Sequence, residues 1–248
     1  MGLEMETNKR IIALLTGRGN NTLKDKNILP VLGKPLLYYP ATAAKDSGVI
    51  TDFFVSSDDE KILQAAENCG YKRIIRPEEF ARPDSQHVDV IDHAVEEIKK
   101  MGIVPDILVV LLANTVMVKA KWVRDCVNGI LNNPELTTMA PVYREMDHHP
   151  YRAKQLNENG DLVPFFDFTE RKISTNRQDL PPAFFLCHNF WVLNLNKINR
   201  EKSFAPWTFM GDRVKPYEVE EAFDVHTMED IRICEKWLIE NGLVSNDI

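Results

Sequence analysis

The sequence has no excess of positive charge, no clustered cysteines and no long apolar run. Its 30 lysines and arginines are outnumbered by 37 aspartates and glutamates, which gives 248 residues a net charge of −7. A general nucleic-acid-binding protein carries a basic surface, so this charge balance argues against nucleic acid as a partner. A small anionic substrate is still compatible with it, because a local basic loop can lie in an acidic protein.

The cysteines and the apolar runs exclude further classes of protein. Cys69, Cys126, Cys187 and Cys234 lie far apart without a CxxC pair, which predicts isolated thiols in a reducing cytosol rather than a zinc or redox motif. No apolar run reaches the roughly 18 residues of a membrane helix. The first ten residues, MGLEMETNKR, lack the apolar segment of a signal peptide. We therefore expect a cytoplasmic protein without a membrane partner.

Short apolar runs alternate with amphipathic segments through the first half of the chain. The pattern predicts strands at residues 10–16, 52–57, 72–77, 106–113 and 137–143, and helices at 34–47, 58–69, 84–101 and 119–131. This alternation is typical of an α/β fold in which helices cover both faces of a mostly parallel sheet. Ligands of such sheets bind at the carboxyl ends of the strands, where residues 17–27, 56–58 and 113–117 should meet.

The alternation stops near residue 144. Residues 149–168 have the pattern of a hairpin with Asn159-Gly160 at its turn, and residues 185–195 that of one strand. Residues 222–243 predict a short strand, a cap at Thr227 and an amphipathic helix. Pro40 favours a kink in the first helix or a late start to it. We therefore predict one domain, residues 1–248, with an insertion at residues 145–205.

The loop after the first strand carries more chemistry than a simple turn needs. Within "LLTGRGNNTLKDKNILPVLGKPLL", residues 14–37, Gly17 and Gly19 let backbone N–H groups approach an anion, while Arg18 and Lys26 supply positive charge. The loop matches neither the Walker pattern nor GxGxxG. On these residues alone, an anion-binding loop and a solvated surface loop both remain open.

The wider context resembles one family. The loop and the following stretches "LPVLGKPLLYYPATAAKDSG", "VITDFFVSSDDEKILQAAENCG" and "IIRPEEFA" resemble the CMP-sialic acid synthetases, including those for legionaminic and pseudaminic acid. The resemblance extends from residue 10 to about residue 240. It implies a three-layer α/β/α, Rossmann-like nucleotidyltransferase fold with a mixed sheet. It also implies an enzyme that joins CTP and an acidic α-keto sugar to give the CMP-sugar and pyrophosphate.

The resemblance assigns roles to the loop and to later positions. The family's loop reads ARxxSKxxxxKN, and Arg18, Lys26 and Asn27 match its fixed ends. Arg18 and Lys26 are thereby expected to be catalytic, holding the phosphates and stabilising the departing pyrophosphate. The implied nucleotide-binding residues are Gly17, Gly19, Asn21, Thr22, Asn27, Arg76, Ser85 and Thr115.

A second matching stretch concerns the sugar. "NRQDLPPAFFLCHNFWVLN" resembles the family's RRQDLPxxYxxNGAIY, a dimerisation element that delivers residues to the sugar site of the partner subunit. The resemblance implies a homodimer in which Arg177 and Gln178 bind the sugar acid, since an arginine fork suits a carboxylate. A plain surface charge is the alternative for Arg177. The family's NGA triple is His188-Asn189-Phe190 here, which predicts a bulkier wall near the sugar.

Two motifs depart from the family. After the central strand, LQPTSP becomes Leu112 to Met117, in which only the threonine, Thr115, survives. The family's magnesium motif DIDTPED begins here with Asp224, and His226 replaces its second aspartate. Because magnesium prefers oxygen, three outcomes are open: Asp224 and phosphates alone hold magnesium, manganese serves instead, or the site is weakened.

The departures also leave rival functions open. One rival is an enzyme of the same fold that acts on another sugar acid or another nucleotide. The other is a non-catalytic homologue, in which a degenerate metal site serves binding or regulation. Separately, the alternative to a metal role is that Asp224 is an ordinary strand-end carboxylate and His226 a packed side chain. The conserved chemistry of the loop and of the RQDLP run favours the enzyme.

Overall fold

The computed structural model describes residues 9–19, 21–169, 172–201, 204–220 and 222–243. Its strands are β1 Ile11–Thr16, β2 Pro30–Val31, β3 Lys34–Pro35, β4 Asp52–Ser57, β5 Lys72–Ile75, β6 Ile107–Leu112, β7 Thr138–Glu145, β8 Lys154–Leu156, β9 Leu162–Pro164, β10 Ala183–Leu186, β11 Phe190–Asn194 and β12 Val214–Glu218. Its α-helices are α1 Tyr38–Asp46, α2 Glu60–Glu67, α3 His87–Lys100, α4 Ala120–Asn132 and α5 Met228–Glu240.

The main sheet has eight strands and is mixed, as predicted. Its order is β10-β7-β11-β6-β1-β4-β5, and β12 pairs with β7. Strands β6, β1, β4 and β5 are parallel, whereas β11 runs antiparallel to both β6 and β7. The carboxyl ends of β6, β1 and β4 therefore lie side by side, which places the loops after Leu112, Thr16 and Ser57 at one edge.

Alternating side chains of the central strands enter two separate cores. In β1, Ile11, Ala13 and Leu15 belong to a core shared with α1, α2 and α4, while Ile12 and Leu14 belong to a core shared with α3. Strand β6 divides its side chains in the same way. This burial on both faces explains why β1 and β6 are continuous apolar runs. The three-layer α/β/α architecture is thereby confirmed.

Several local predictions are refined by the structure. The first helix begins at Tyr38, so Pro40 lies in its first turn and leaves the helix unbroken. Residues 34 and 35, predicted as helix, instead pair with β2 in a small hairpin. The segment before α5 forms no strand, which corrects that prediction. The predicted cap at Thr227 is a complete capping box with Asp230.

The predicted single strand at residues 185–195 is wrong, because it is divided into β10 and β11. Both strands pair with β7, but the register changes by three residues between the pairs Leu186–Val142 and Val192–Met139. Between the two strands, Cys187 N still donates to Pro141 O and Asn189 O still accepts from Leu112 N, while the side chain of the buried Asn189 makes two further backbone contacts. Its amide donates to Met117 O at 3.0 Å, and its Oδ1 accepts from Phe190 N at 2.7 Å.

The predicted hairpin in the insertion is present. Strands β8 and β9 pair antiparallel, and Gly160 has a φ of 83° in the connecting turn. Within the predicted insertion, β10 and β11 lie in the main sheet. Across the described ranges, no helix is both long enough and apolar enough to span a bilayer. None of the four cysteines forms a disulfide in the part of the chain described, as predicted.

Candidate functional site

A cavity of about 370 Å³ lies at the carboxyl edge of the central strands. The loop after β1, the loop before α3, the loop after β6 and the segment before α5 form its walls. Its lining includes Gly17, Arg18, Asn21, Thr22, Lys26, Asn27, Arg76, Ser85, His87, Asn114, His188, Asp224 and His226. The residues that sequence reasoning placed in the loop after β1 thus meet Arg76, Ser85 and Asp224 in one space.

The loop after β1 is folded around the carbonyl oxygen of Arg18. The side-chain amides of Asn21 and Asn27 both donate to this oxygen, at 2.6 and 3.0 Å. The loop ends in a 3₁₀ turn, Lys26–Ile28, in which Lys26 and Asn27 are buried. A Cβ on Gly17 would lie 3.0 Å from Asn27 Nδ2, so a glycine is needed for this close approach.

Gly19 lies in the same loop but does not line the cavity. Its backbone N–H donates to Asp58 Oδ1 at 2.9 Å. A Cβ there would stand 2.6 Å from Asp59 Oδ2, which is closer than real contacts allow. Asp59 in turn caps α2 by accepting from Lys61 N and Ile62 N. Gly19 therefore joins the loop to the start of α2.

Arg76 is a buried guanidinium in the cavity wall, with 6% of its surface exposed. Its Nη2 donates to Ser56 O at 2.6 Å and its Nε to Ser56 Oγ at 3.2 Å. Burial lowers the pKa of Arg76 to about 10; Asp58 opposes this shift and the positive charge of Arg18 adds to it. Both acceptors of the Arg76 guanidinium are uncharged oxygens, so its positive charge is not neutralised by them and can interact with an anion.

Lys26 faces the same space from the opposite side of the loop. Burial is the main cause that lowers its pKa; Arg18 adds to the shift, while Asp224 and Asp230 oppose it. Arg18 donates from Nη1 to the carbonyl of Arg82 at 2.8 Å. Among the residues described, Arg18, Lys26 and Arg76 form no ion pair with a carboxylate. Arg18, Lys26 and Arg76 thus line one cavity without a direct salt bridge, although Asp58, Asp224 and Asp230 lie near enough to act on their charges, and this excess of cations favours an anion as ligand.

The loop before α3 forms a wall that sequence reasoning identified only in part. Ser85 lines the cavity, but its hydroxyl already donates to Glu79 O and accepts from Arg82 N. His87 packs edge-on against Trp191 at 5.5 Å between ring centroids. Burial lowers the pKa of His87, and the neighbouring His188, Arg76 and Arg18 lower it further. These surroundings therefore favour the neutral form of the imidazole, although Asp224 opposes the shift.

The wall opposite the loop is built from two distant parts of the chain. Val225 N donates to Asn114 O at 2.7 Å, and Thr115 Oγ1 donates to Phe223 O at 2.8 Å. Asn114 Nδ2 donates to Asp224 Oδ2 at 2.9 Å. Thr115 is fully buried and does not line the cavity, so in this structure its hydroxyl joins the two segments. Asp224 does line the cavity.

Arg177 and Gln178 do not reach this cavity. They lie in an exposed 3₁₀ turn, Arg177–Asp179, on the insertion, and Arg177 forms an ion pair with Asp147. Five exposed large apolar side chains lie on the hairpin and the strand near this turn. They are Leu156, Leu162, Phe165, Phe166 and Phe184. The sugar-binding assignment of Arg177 and Gln178 therefore stays a prediction.

Some lining residues had little or no signal in the sequence. Arg82 and Phe80 enter the wall because the loop between β5 and α3 folds back over the cavity. Their only sequence signal is their place between the RP pair and α3. His188, which the family motif predicted near the sugar, lines the same cavity from the segment between β10 and β11. Its ring lies 6.2 Å from that of Trp207 and 6.4 Å from that of Trp191.

A metal site made of protein side chains alone is not present in the part of the chain described. There, no group of three or more His, Cys, Asp or Glu side chains is arranged to hold an ion. Asp224 is the carboxylate of the cavity lining. One carboxylate is a sufficient protein contribution for magnesium when phosphate oxygens and water complete the shell. The donor set therefore fits an ion that binds together with a triphosphate.

One protein-family model matches more than half of the chain. A family model described as Cytidylyltransferase matches residues 14–185, which include the loop after β1, Arg76, the loop before α3 and the RQDLP run.

Similar proteins of known name are cytidylyltransferases of acidic sugars. Pseudaminic acid cytidylyltransferase of Campylobacter jejuni is 24% identical over 87% of this chain and 90% of its own length. N-acylneuraminate cytidylyltransferase of Streptococcus agalactiae is 24% identical over 90% of this chain and 51% of its own length. CMP-N,N'-diacetyllegionaminic acid synthase of Legionella pneumophila is 23% identical over 92% of this chain and 95% of its own length.

Solved structures share the fold at lower identity. CMP:2-keto-3-deoxy-manno-octonic acid synthetase in complex with CTP has a TM-score of 0.68 at 17% identity, covering 94% of this chain and all (100%) of the other. 4-Diphosphocytidyl-2C-methyl-D-erythritol synthase from Anaerococcus prevotii has a TM-score of 0.64 at 13% identity, covering 93% of this chain and 96% of the other.

Proposed function

Because the chain belongs to the cytidylyltransferase family, we propose that it activates a nonulosonic, sialic-acid-like α-keto sugar with CTP. The products are the CMP-sugar and pyrophosphate. The observation that carries this proposal is the cavity in which Arg18, Lys26 and Arg76 converge without a carboxylate partner. A triphosphate supplies negative charge to this set of cations, and its binding favours their charged forms, which burial opposes.

The reaction assigns separate tasks to the lining residues. The anomeric hydroxyl of the sugar attacks the α-phosphorus of CTP, and the bond from that phosphorus to the bridging oxygen breaks. Lys26 and Arg18 stabilise the negative charge that develops on the departing pyrophosphate. The backbone at Gly17 and the side chains of Asn21, Thr22 and Asn27 orient the phosphates and ribose. The protein thus acts mainly by positioning and by charge stabilisation.

The nucleotide lies, in this proposal, between the loop after β1 and the loop before α3. Arg76 contacts the nucleotide from the buried side, where Ser56 fixes its guanidinium. Ser85 stands at the start of the wall that includes His87 and Val90. His87, whose pKa burial and the neighbouring cations lower, is suited to stack against or hydrogen-bond a base. Thr115 contributes by fixing the segment that holds Asp224.

A divalent ion completes the proposed site. Magnesium and manganese are the two candidates, and Asp224 is the residue that would hold either of them together with phosphate oxygens. When bound, such an ion neutralises part of the charge on the triphosphate. Asn114 holds the carboxylate of Asp224 in place through its hydrogen bond to Oδ2.

The sugar site requires a second copy of the chain. Arg177 and Gln178 lie on the exposed surface of the insertion, next to exposed apolar side chains that an interface would cover. A homodimer that buries these side chains brings the Arg177 turn of one protomer towards the cavity of the other. The guanidinium then binds the sugar carboxylate. The cytoplasm remains the expected location, because CTP is available there.

A pyrophosphate-release assay with a panel of substrates tests this proposal. We expect turnover with CTP and a nine-carbon acid among sialic, legionaminic and pseudaminic acids. An eight-carbon keto acid and the nucleotides UTP, ATP and GTP serve as controls. Turnover with CTP and only the eight-carbon acid, or with another nucleotide, would support the rival enzyme. Binding of CTP without turnover on any sugar acid would support the non-catalytic rival.

A further inference from the structure

Asp224 and His226 stand side by side on the cavity wall that faces the loop cations. His226 Nε2 lies 3.2 Å from Asp224 Oδ2. Asp224 is partly covered, with 25% of its side chain exposed, whereas 69% of the His226 side chain is exposed. Both residues line the cavity. The imidazole is therefore not a packed core side chain, and its nitrogen is accessible to a ligand.

Two neighbouring contacts fix this pair. Asn114 Nδ2 donates to Asp224 Oδ2 at 2.9 Å, which sets the orientation of the carboxylate. The backbone N–H of His226 donates to Asp230 Oδ2 at 2.9 Å, which ties residue 226 to the capping box of α5. Asn114 and His226, which both differ from the family motifs, therefore both contact Asp224 Oδ2.

The separation of the two atoms suits a shared ion. Ligands bound at roughly 2.1 Å and at right angles to each other on one ion lie about 3 Å apart. A charge-assisted hydrogen bond between an imidazolium and a carboxylate is shorter, at about 2.7–2.9 Å. The observed 3.2 Å is compatible with two ligands of one ion and also lies at the long end of the range for a neutral N–H···O hydrogen bond.

Two protein ligands do not make a complete metal site. In the residues described, no third His, Cys, Asp or Glu joins the pair. The other coordination positions must come from water and from oxygens of a bound molecule, as occurs when divalent ions bind nucleotides. The same cavity contains the cations that we assign to the triphosphate. The ion is thus expected to bind tightly only when the nucleotide is present.

We propose that Asp224 and His226 form a mixed oxygen–nitrogen pair that holds a first-row transition-metal ion, such as Mn²⁺, in preference to Mg²⁺. This inference rests on the proposed function, because the triphosphate of CTP supplies the remaining oxygens. An imidazole nitrogen favours first-row transition metals, whereas magnesium prefers an all-oxygen shell. Asn114 is a positioning residue that acts on the ion through Asp224.

The test measures ion binding to the complex of the full chain with CTP, in the absence of sugar. Free Mn²⁺ is followed by electron paramagnetic resonance, and a pulsed measurement detects nitrogen bound directly to the ion. We expect the wild type to show the signal of a coordinated imidazole nitrogen. His226→Ala should lose this signal and bind Mn²⁺ roughly 10- to 100-fold more weakly. His226→Asp should also lose it, and Mg²⁺ should then displace Mn²⁺ at a lower concentration than in the wild type.

Two further variants distinguish the loss of a metal ligand from other effects of a substitution on Mn²⁺ binding. His148 lies 3.3 Å from Glu145 Oε2 through its Nδ1, and its side chain is 89% exposed, but it does not line the cavity. His148→Ala therefore removes an exposed histidine–carboxylate pair of the same kind and should leave Mn²⁺ binding unchanged. Asn114→Ala should weaken Mn²⁺ binding yet retain the nitrogen signal, because the imidazole remains in place.

Two results would contradict only the inference that His226 is a metal ligand, and a third would also contradict the proposed function. A wild-type complex of Mn²⁺ and CTP without a nitrogen signal excludes His226 as a ligand. Equal Mn²⁺ affinity of the wild type and His226→Ala does the same. Calorimetric titration of CTP, done separately, shows whether the nucleotide still binds in those cases. If the wild type binds no CTP at all, both this inference and the proposed function are contradicted.

Discussion

The two cationic regions assigned to substrate differ in how their charges are held. Lys26 and Arg76 are buried in the cavity wall, and Arg76 is oriented by two oxygens of Ser56. Arg177 lies on the insertion with 59% of its side chain exposed and is ion-paired with Asp147. The first region is preorganised within one chain, which favours charge stabilisation in a transition state. The second becomes a site only when another surface approaches it.

The largest effect is expected from Lys26→Ala, which tests the preorganised region. Removing a cation beside the departing pyrophosphate should lower kcat about 10²- to 10³-fold, the usual cost of losing one transition-state donor. Steady-state pyrophosphate release measures it. Lys24→Ala is the matched control, because Lys24 is exposed in the same loop and outside the cavity lining. A normal kcat for Lys26→Ala would contradict the role of the loop.

The next effect is expected from Arg177→Ala, which tests the exposed region. Hydrogen bonds to charged groups contribute about 1.5–3 kcal/mol, so KM for the sugar should rise roughly 10- to 100-fold. KM for CTP should stay near the wild-type value. Lys197→Ala is the control, because Lys197 forms an exposed ion pair with Glu135. An unchanged KM for the sugar would identify Arg177 as a surface charge.

Mixing the two variants sharpens the comparison between the regions. If one protomer supplies Lys26 and its partner supplies Arg177, a hybrid dimer contains one site with both residues intact. Subunit exchange between Lys26→Ala and Arg177→Ala proteins should therefore restore part of the activity that each lacks alone. Activity that never exceeds the average of the two separate variants would show that both residues act within one protomer.

A smaller effect is expected from pH, through the lowered pKa of Lys26. Bound phosphate favours the charged amine, so CTP affinity should be highest below the pKa of Lys26 and should fall as pH rises through it. One proton limits the fall to about tenfold per pH unit. Because the pKa is lowered, the fall should begin below the usual lysine range. Calorimetric CTP titrations across alkaline pH measure it, and Lys26→Arg should shift the fall to higher pH.

The smallest effect is expected from the capping box that orders the segment before α5. Thr227→Ala removes a side-chain acceptor for Asp230 N and should lower the free energy of unfolding by about 1 kcal/mol. Thr227→Ser keeps the hydroxyl and should retain most of that stability. Urea denaturation measures both variants. Equal stability of the alanine variant and the wild type would show that the cap contributes nothing to this end of the fold.

Much of the fold was predictable because its signals are local. The continuous apolar runs of β1 and β6 and the capping residues of α5 each depend on neighbours in sequence. Gly17, Arg18, Lys26 and Asn27 were recognisable for the same reason, since one loop carries them all.

The remainder depends on contacts between distant residues. Asn114 and Asp224 meet only because the chain returns to the end of β6. His188 lines the cavity from the segment between β10 and β11, next to Asn189, whose amide donates to the distant Met117 O. Arg82 reaches the wall because a loop folds over it. No periodicity records such approaches, so local patterns could not place this wall, and only the resemblance to the family's metal motif pointed to Asp224 and His226.

A crystal structure of the protein with a non-hydrolysable CTP analogue tests the central claim most directly. The account predicts that the triphosphate lies in the cavity after β1, with Lys26 Nζ and the guanidinium of Arg18 within hydrogen-bonding distance of phosphate oxygens. It also predicts that Arg76 contacts the nucleotide from the buried side. A nucleotide bound elsewhere, with Arg18 and Lys26 facing empty solvent, would contradict the account.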